Sequence, residues 1–169
     1  MDLKNIIRIF KNITNLIFLR NVFLFKIVSL LYKENRGISI FNEYWDNLII
    51  LDACRFDFFH NVSKKMNLKG KLKKIRSKGA TTVTFLRENF TKKKYDDIVY
   101  ITANPYVDKI LKNKFHRIIS VWNNGWDEEN HTVLPETMVK YTLKAIKKYP
   151  EKRLIIHFIQ PHYPYIGYP

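Results

Sequence analysis

The chain has 169 residues, 46% of them apolar and 15% aromatic, enough for one hydrophobic core and outside the composition of disordered chains. Thirty basic against fifteen acidic residues give a formal charge of +15, which favours an anionic partner: a phosphorylated substrate, an acidic lipid surface or nucleic acid. A single cysteine excludes an internal disulfide and a cysteine-rich zinc cage.

Residues 3–33 contain neither proline nor glycine and read as one long, strongly apolar helix. Lys4, Arg8, Lys11, Arg20 and Lys26 interrupt it, so no run of about 18 uncharged residues exists to span a bilayer. At about 100° per residue, Lys4, Arg8, Lys11, Asn15, Lys26, Ser29 and Lys33 share one narrow stripe. A basic stripe on a broad apolar helix fits an anionic membrane surface or a partner protein, and equally a helix packed on its own domain. No apolar run leads into a small-residue cleavage site, so no cleavable signal peptide is expected. The chain reads as cytoplasmic or peripheral to the membrane.

Asn35-Arg36-Gly37 ends that helix and divides a basic-striped region, 1–36, from an α/β domain, 37–169. The pattern then predicts strand 47–52, helix 55–66 and a basic, alternating strand at 70–76. A glycine turn, Gly79-Ala80-Thr81-Thr82, leads into helix 82–90. Strand 98–102, helix 106–112 and strand 117–121 follow, then a loop at Asn123-Asn124-Gly125. Leu134 to Tyr149 reads as an amphipathic helix with Pro135 in its first turn, and strand 153–159 comes last. Strands alternating with helices imply a largely parallel sheet covered on both faces.

Three candidate sites sit at strand ends or helix starts, where open α/β sheets bind ligands. Asp52 ends the apolar run Asn47-Leu48-Ile49-Ile50-Leu51, and a hard carboxylate there suits a divalent metal; it equally suits a helix cap. Thr81-Thr82 stands at a helix N-terminus, where backbone N–H groups favour an anion and a hydroxyl could attack it, or could simply cap the helix. His162 follows Pro161 just past the last strand, placed to contact an anion or protonate a leaving group. His157, inside that strand, reads as a satisfied core histidine. Lys92-Lys93-Lys94 reads as a solvated loop, and Trp122 and Trp126 as packing. No Walker A loop, dinucleotide glycine fingerprint or zinc-finger spacing is present, so nucleic acid is not the expected partner.

Four segments in order, Leu51-Asp52-Ala53-Cys54-Arg55-Phe56-Asp57, Gly79-Ala80-Thr81-Thr82-Val83-Thr84-Phe85-Leu86, Gly125-Trp126-Asp127 and His157-Phe158-Ile159-Gln160-Pro161-His162-Tyr163-Pro164-Tyr165, resemble the alkaline phosphatase superfamily, in particular its sulfatase-like proteins of archaea and bacteria. The resemblance implies a three-layer αβα sandwich with a mostly parallel sheet, here preceded by the long N-terminal helix. It implies a two-metal site (Zn, Mn or Mg) in which Asp52 binds a divalent ion. Thr82, as metal ligand and nucleophile, aligns better than Thr81, and His162 contacts the transferred group or the leaving oxygen. Two such ions lower the pKa of an attacking hydroxyl and hold both oxygens of an in-line displacement. Arg55 and Asp57 match the motif in a supporting, structural role.

Cys54, followed by Arg55-Phe56-Asp57, lacks the sequence context of a formylglycine sulfatase, so a threonine nucleophile and phosphoryl rather than sulfuryl chemistry are expected. The family's remaining ligands, an Asp-His pair among them, lie in a C-terminal half, whereas this chain stops at Tyr168-Pro169. The expectation is therefore an incomplete metal-dependent hydrolase or transferase of phosphoesters, weakly active or inactive alone unless a second chain completes the site. The alternative is a non-catalytic protein that keeps the fold and binds a membrane surface or a partner through residues 3–33.

Overall fold

A computed structural model describes residues 18–24, 27 and 37–167. The chain divides into two units, 1–36 and 37–169. In the first, residues 18–24 and 27 are helical; the remainder of the expected helix 3–33 lies outside the described residues, so the long N-terminal helix is not established. No helix among the described residues is long and apolar enough to cross a membrane.

The second unit is an α/β domain around a four-stranded, wholly parallel sheet. Its elements are β1 (Asn47–Leu51), α1 (Phe56–Lys65), α2 (Thr82–Phe90), β2 (Tyr95–Thr102), α3 (Tyr106–Leu111), β3 (Phe115–Ser120), β4 (Trp126–Asp127), β5 (Thr132–Val133), α4 (Pro135–Lys148) and β6 (Arg153–Phe158). The strand order is β1-β6-β2-β3, so the last strand lies between the first and the second. Ile50, His157 and Thr102 fall in one row across the sheet.

Strand parity divides the core in two. Ile98 and Tyr100 of β2 and Ile155 of β6 pack with Leu86 and Phe90 of α2 and Val107 and Leu111 of α3. The alternate residues Val99, Ile101, Leu154 and Ile156 pack instead with Met138 and Ala145 of α4. Apolar packing of helices against both residue sets is compatible with a three-layer arrangement. Phe90 anchors the first cluster, with ring contacts to Phe41, Phe85, Tyr95, Tyr100 and Phe115. Buried Asn89 ties the segment before β1 to α2: its amide oxygen accepts from the Ile40 N–H and its amide nitrogen donates to the Phe85 carbonyl.

One stretch differs from the sequence expectation. Residues 70–76 form no strand; the segment contributes one parallel bridge, Ser77 to Ile38. Its alternation of Lys71, Lys73, Lys74 and Arg76 with Leu72 and Ile75 has no apolar surface to face, and residues 64–77 are all exposed. Periodicity without a partner edge does not make a strand. Between residue 125 and α4, where the sequence assigned no element, lies a small antiparallel hairpin, β4–β5, closed by the Asp127 carboxylate, which accepts from the N–H and the side-chain amide of Asn130.

Replacing Phe90 by Ala should cost about 3–5 kcal/mol in chemical denaturation, whereas Leu72→Ala, on the irregular segment, should stay within roughly 0.5 kcal/mol. A large loss at Leu72 would show that segment to be part of the core.

Candidate functional site

The site begins where β1 runs out. The parity that sends Leu48 and Ile50 to the α2 face carries Asp52 to the same face. The Asp52 N–H extends the parallel ladder by donating to the Phe158 carbonyl at 3.3 Å, and the Cys54 N–H closes a turn on the Leu51 carbonyl at 3.3 Å. Ala53 completes that turn at φ 59°, a left-handed conformation that costs an L-residue about 1–2 kcal/mol. Backbone strain of this kind is held at functional sites by the surrounding structure.

The turn before α2 supplies the second side chain. A Cβ at Gly79 would stand 2.1 Å from the Phe85 nitrogen, so only glycine admits this close approach. Thr81 is the N-cap: its hydroxyl accepts from the Thr84 N–H, and the Thr84 hydroxyl accepts from the Thr81 N–H. Capping is thus done by Thr81, which leaves Thr82, the first helical residue, free to face the sheet. Its Oγ1 donates to Asp52 Oδ2 at 2.9 Å, with Oδ1 at 3.2 Å.

Asn104, which the sequence did not mark, and His157, which it marked as a satisfied core histidine, complete the surroundings of Asp52. Asn104, just beyond β2, donates from Nδ2 to Asp52 Oδ2 at 2.9 Å. His157 sits in the neighbouring strand, fully buried, with Nε2 3.7 Å from the same oxygen. Its Nδ1 pairs with the Tyr100 hydroxyl at 2.9 Å, while Nε2 has no hydrogen-bond partner. The core histidine is therefore satisfied on one nitrogen only. Asn104 carries no sequence signal, because its proximity follows from β6 entering between β1 and β2.

Burial works to raise the Asp52 pKa. The neighbouring His157 ring and the hydrogen bonds from Thr82 and Asn104 outweigh it and hold the carboxyl below its usual range. His157 Nε2, at 3.7 Å, stands beyond hydrogen-bond reach of the carboxylate. Burial, and then the Asp52 charge, push the Tyr100 hydroxyl well above its usual range, so it stays a neutral phenol.

Asp52, Thr82 and His162 line one cleft of about 430 Å³, together with Cys54, Gly79 and His157. The exposed His162 ring sets Nδ1 2.7 Å from the Tyr163 carbonyl, which can only accept. Nδ1 therefore carries the proton, and Nε2 is an acceptor in the neutral ring and a donor in the cation. The Cys54 thiol is pushed up by burial and stays protonated, which removes it as a competing nucleophile. Arg55 and Asp57 lie apart from the cleft lining, in an exposed bidentate ion pair at the head of α1 with contacts of 3.0 and 2.8 Å. Exposed pairs of this kind contribute little stability.

A carboxyl whose folded pKa lies below its unfolded one stabilises the fold above the unfolded value, and that contribution is lost as pH falls through the folded value. Asp52→Asn should therefore be less stable than the parent at neutral pH, with the gap closing below about pH 4 in urea melts. A gap independent of pH would mean that the Asp52 charge contributes nothing to the fold. Comparison of the chain with models of known protein families, with curated proteins and with solved structures finds no match, so the site has to be understood from its own geometry.

Proposed function

We propose that this cleft is the phosphoryl-transfer site of a sulfatase-like domain of the alkaline phosphatase superfamily, with that superfamily's three-layer architecture. One observation carries the reading: the Thr82 hydroxyl donates into the Asp52 carboxylate in the cleft that His162 also lines. A nucleophile, an acceptor for its proton and a group able to protonate a leaving oxygen thus face a single space.

The substrate class is a phosphoester, matched to the strongly basic chain. The first turn of α2, whose N–H groups have no intrahelical acceptor, opens beside Thr82 and favours an anion. Asp52 orients the Thr82 hydroxyl and takes its proton as the Oγ1–P bond forms. The ester P–O bond breaks in line, and the leaving oxygen takes a proton from Nε2 of the doubly protonated His162 ring. Water or a second alcohol then receives the phosphoryl group from Thr82, which separates hydrolase from transferase. Sulfuryl esters share the tetrahedral shape and form the secondary substrate class.

The resemblance implies divalent metal ions, and the donor set fits one. Asp52 has two oxygens at the cleft, Thr82 a hydroxyl, and the unpartnered Nε2 of His157 lies beside them. Among the described residues no group of three or more His, Cys, Asp or Glu that could hold a metal ion is found. When bound, such an ion supplies positive charge that favours the Thr82 alkoxide and offsets charge on the phosphoryl oxygens.

The test is a trapped intermediate. The full chain, incubated with p-nitrophenyl phosphate and Mn²⁺ or Zn²⁺ and quenched in acid, should carry phosphate on the Thr82 peptide by mass spectrometry. Thr82→Ala should abolish the adduct, and Asp52→Asn should slow its formation by about 100-fold or more. No adduct on the metal-treated chain, or nitrophenol release unchanged in Thr82→Ala, would overturn the assignment.

A further inference from the structure

Residues 64–77 are exposed without interruption, yet they carry four large aliphatic side chains, Met66, Leu68, Leu72 and Ile75, each 46% to 63% accessible. A single exposed apolar residue needs no account, but four on one short segment with nothing of the domain over them mark a contact surface. At the midpoint a Cβ on Gly70 would meet no atom within 4 Å, so the chain there stands clear of the domain. The same segment holds seven lysine and arginine residues and no acidic one. Lys73 pairs with Glu43 at 2.8 Å and Lys74 lies over the Phe56 ring, and the segment stays strongly positive.

Charge and apolarity together select the partner. A wholly basic segment takes an anionic body. Nucleic-acid surfaces add aromatic rings on which bases stack, and 64–77 contains no Phe, Tyr or Trp. Aliphatic side chains interleaved with lysines suit the boundary of an anionic membrane, where the charges meet lipid phosphates and the apolar groups enter beneath them. Lysine stems reinforce this by lying along apolar surface while their ammonium groups reach the polar layer. Position adds a second observation. Ser77, the last residue of the segment, lines the cleft, and His162, also in the lining, leads directly into exposed Tyr163, Tyr165 and Ile166. Amphipathic tyrosine rings favour the interface of water and lipid. Two exposed apolar stretches, far apart in sequence, thus end at one cleft.

We propose that residues 64–77 are a docking surface for an anionic lipid membrane, with Tyr163 and Tyr165 as interfacial anchors, so that the cleft lies at the headgroup layer. The docking does not depend on the phosphoryl-transfer reading.

The experiment is co-flotation of the full chain with vesicles of phosphatidylcholine mixed with phosphatidylserine, against phosphatidylcholine alone. The chain should float with the mixed vesicles only. Lys65→Gln, Lys69→Gln, Lys71→Gln and Arg76→Gln together should weaken partitioning about 100-fold or more. Leu72→Ser with Ile75→Ser, which keeps every charge, should weaken it about tenfold. All six side chains are exposed, so the fold is retained. Leu72→Trp emission should shift to the blue on the mixed vesicles and be quenched by lipids brominated in their acyl chains. Thr82→Ala should float as the parent does, whether or not the Thr82 adduct forms in the parent. No flotation, or flotation equal in the parent and both combined variants, would overturn the proposal. Loss on neutralisation without loss in Leu72→Ser and Ile75→Ser would make the segment a general polyanion surface, open to nucleic acid, and would overturn the lipid assignment.

Discussion

The insertion of β6 between β1 and β2 is the constraint on which the rest of the molecule depends. Its backbone is paired on both sides, and the pairing continues past the regular strands: Asp52 N–H donates to the Phe158 carbonyl, and Ala103 N–H to the His157 carbonyl. Those two bonds fix Asp52 and the approach to Asn104 on either side of His157. Strand parity then turns all three side chains towards α2. A one-residue slip of β6 would turn His157 to the α4 face and bring Phe158 to the carboxylate.

Polar groups near Asp52 are divided between the helix end and the carboxylate. Thr81 satisfies the helix end, and Thr82 is left to bond the carboxylate. Asn104 supplies a fixed donor while its oxygen accepts from the Tyr106 N–H, which locks the amide's orientation. The carboxylate is consequently held charged in a half-buried place, ready to orient a hydroxyl or bind a cation. The unshared nitrogen of His157 is the exception to this full accounting.

Much of this was legible in the sequence, for identifiable reasons. Apolar runs ending in Asp52 or in the Gln160-Pro161 break marked parallel strands, of which β6 is buried while β1 leaves Ile49 exposed, and the starts of α2 and α4 follow from Thr81 and Pro135. The strand expected at 70–76 fails because alternation records a capacity to pair, and no sheet edge or apolar face meets it there. The β4–β5 hairpin rests on two-residue strands and an Asp127–Asn130 turn, too short for periodicity to register. Asn104 and the state of His157 were illegible for a different reason. Both depend on strand order, and nothing in a linear pattern says that the sixth strand returns to lie beside the first.

The central claim is that Asp52 and Thr82 form the floor of a phosphoryl site. Thermal unfolding of the full chain with Zn²⁺ and orthovanadate, a mimic of the five-coordinate phosphorus of an in-line transfer, tests it most directly. The account predicts that the pair together raises Tm beyond the sum of the separate shifts; a ligand at about 100 times its Kd adds about 2.7 kcal/mol. That excess should vanish in Thr82→Ala. An identical excess in Thr82→Ala, or no excess at saturating Zn²⁺, would contradict the claim.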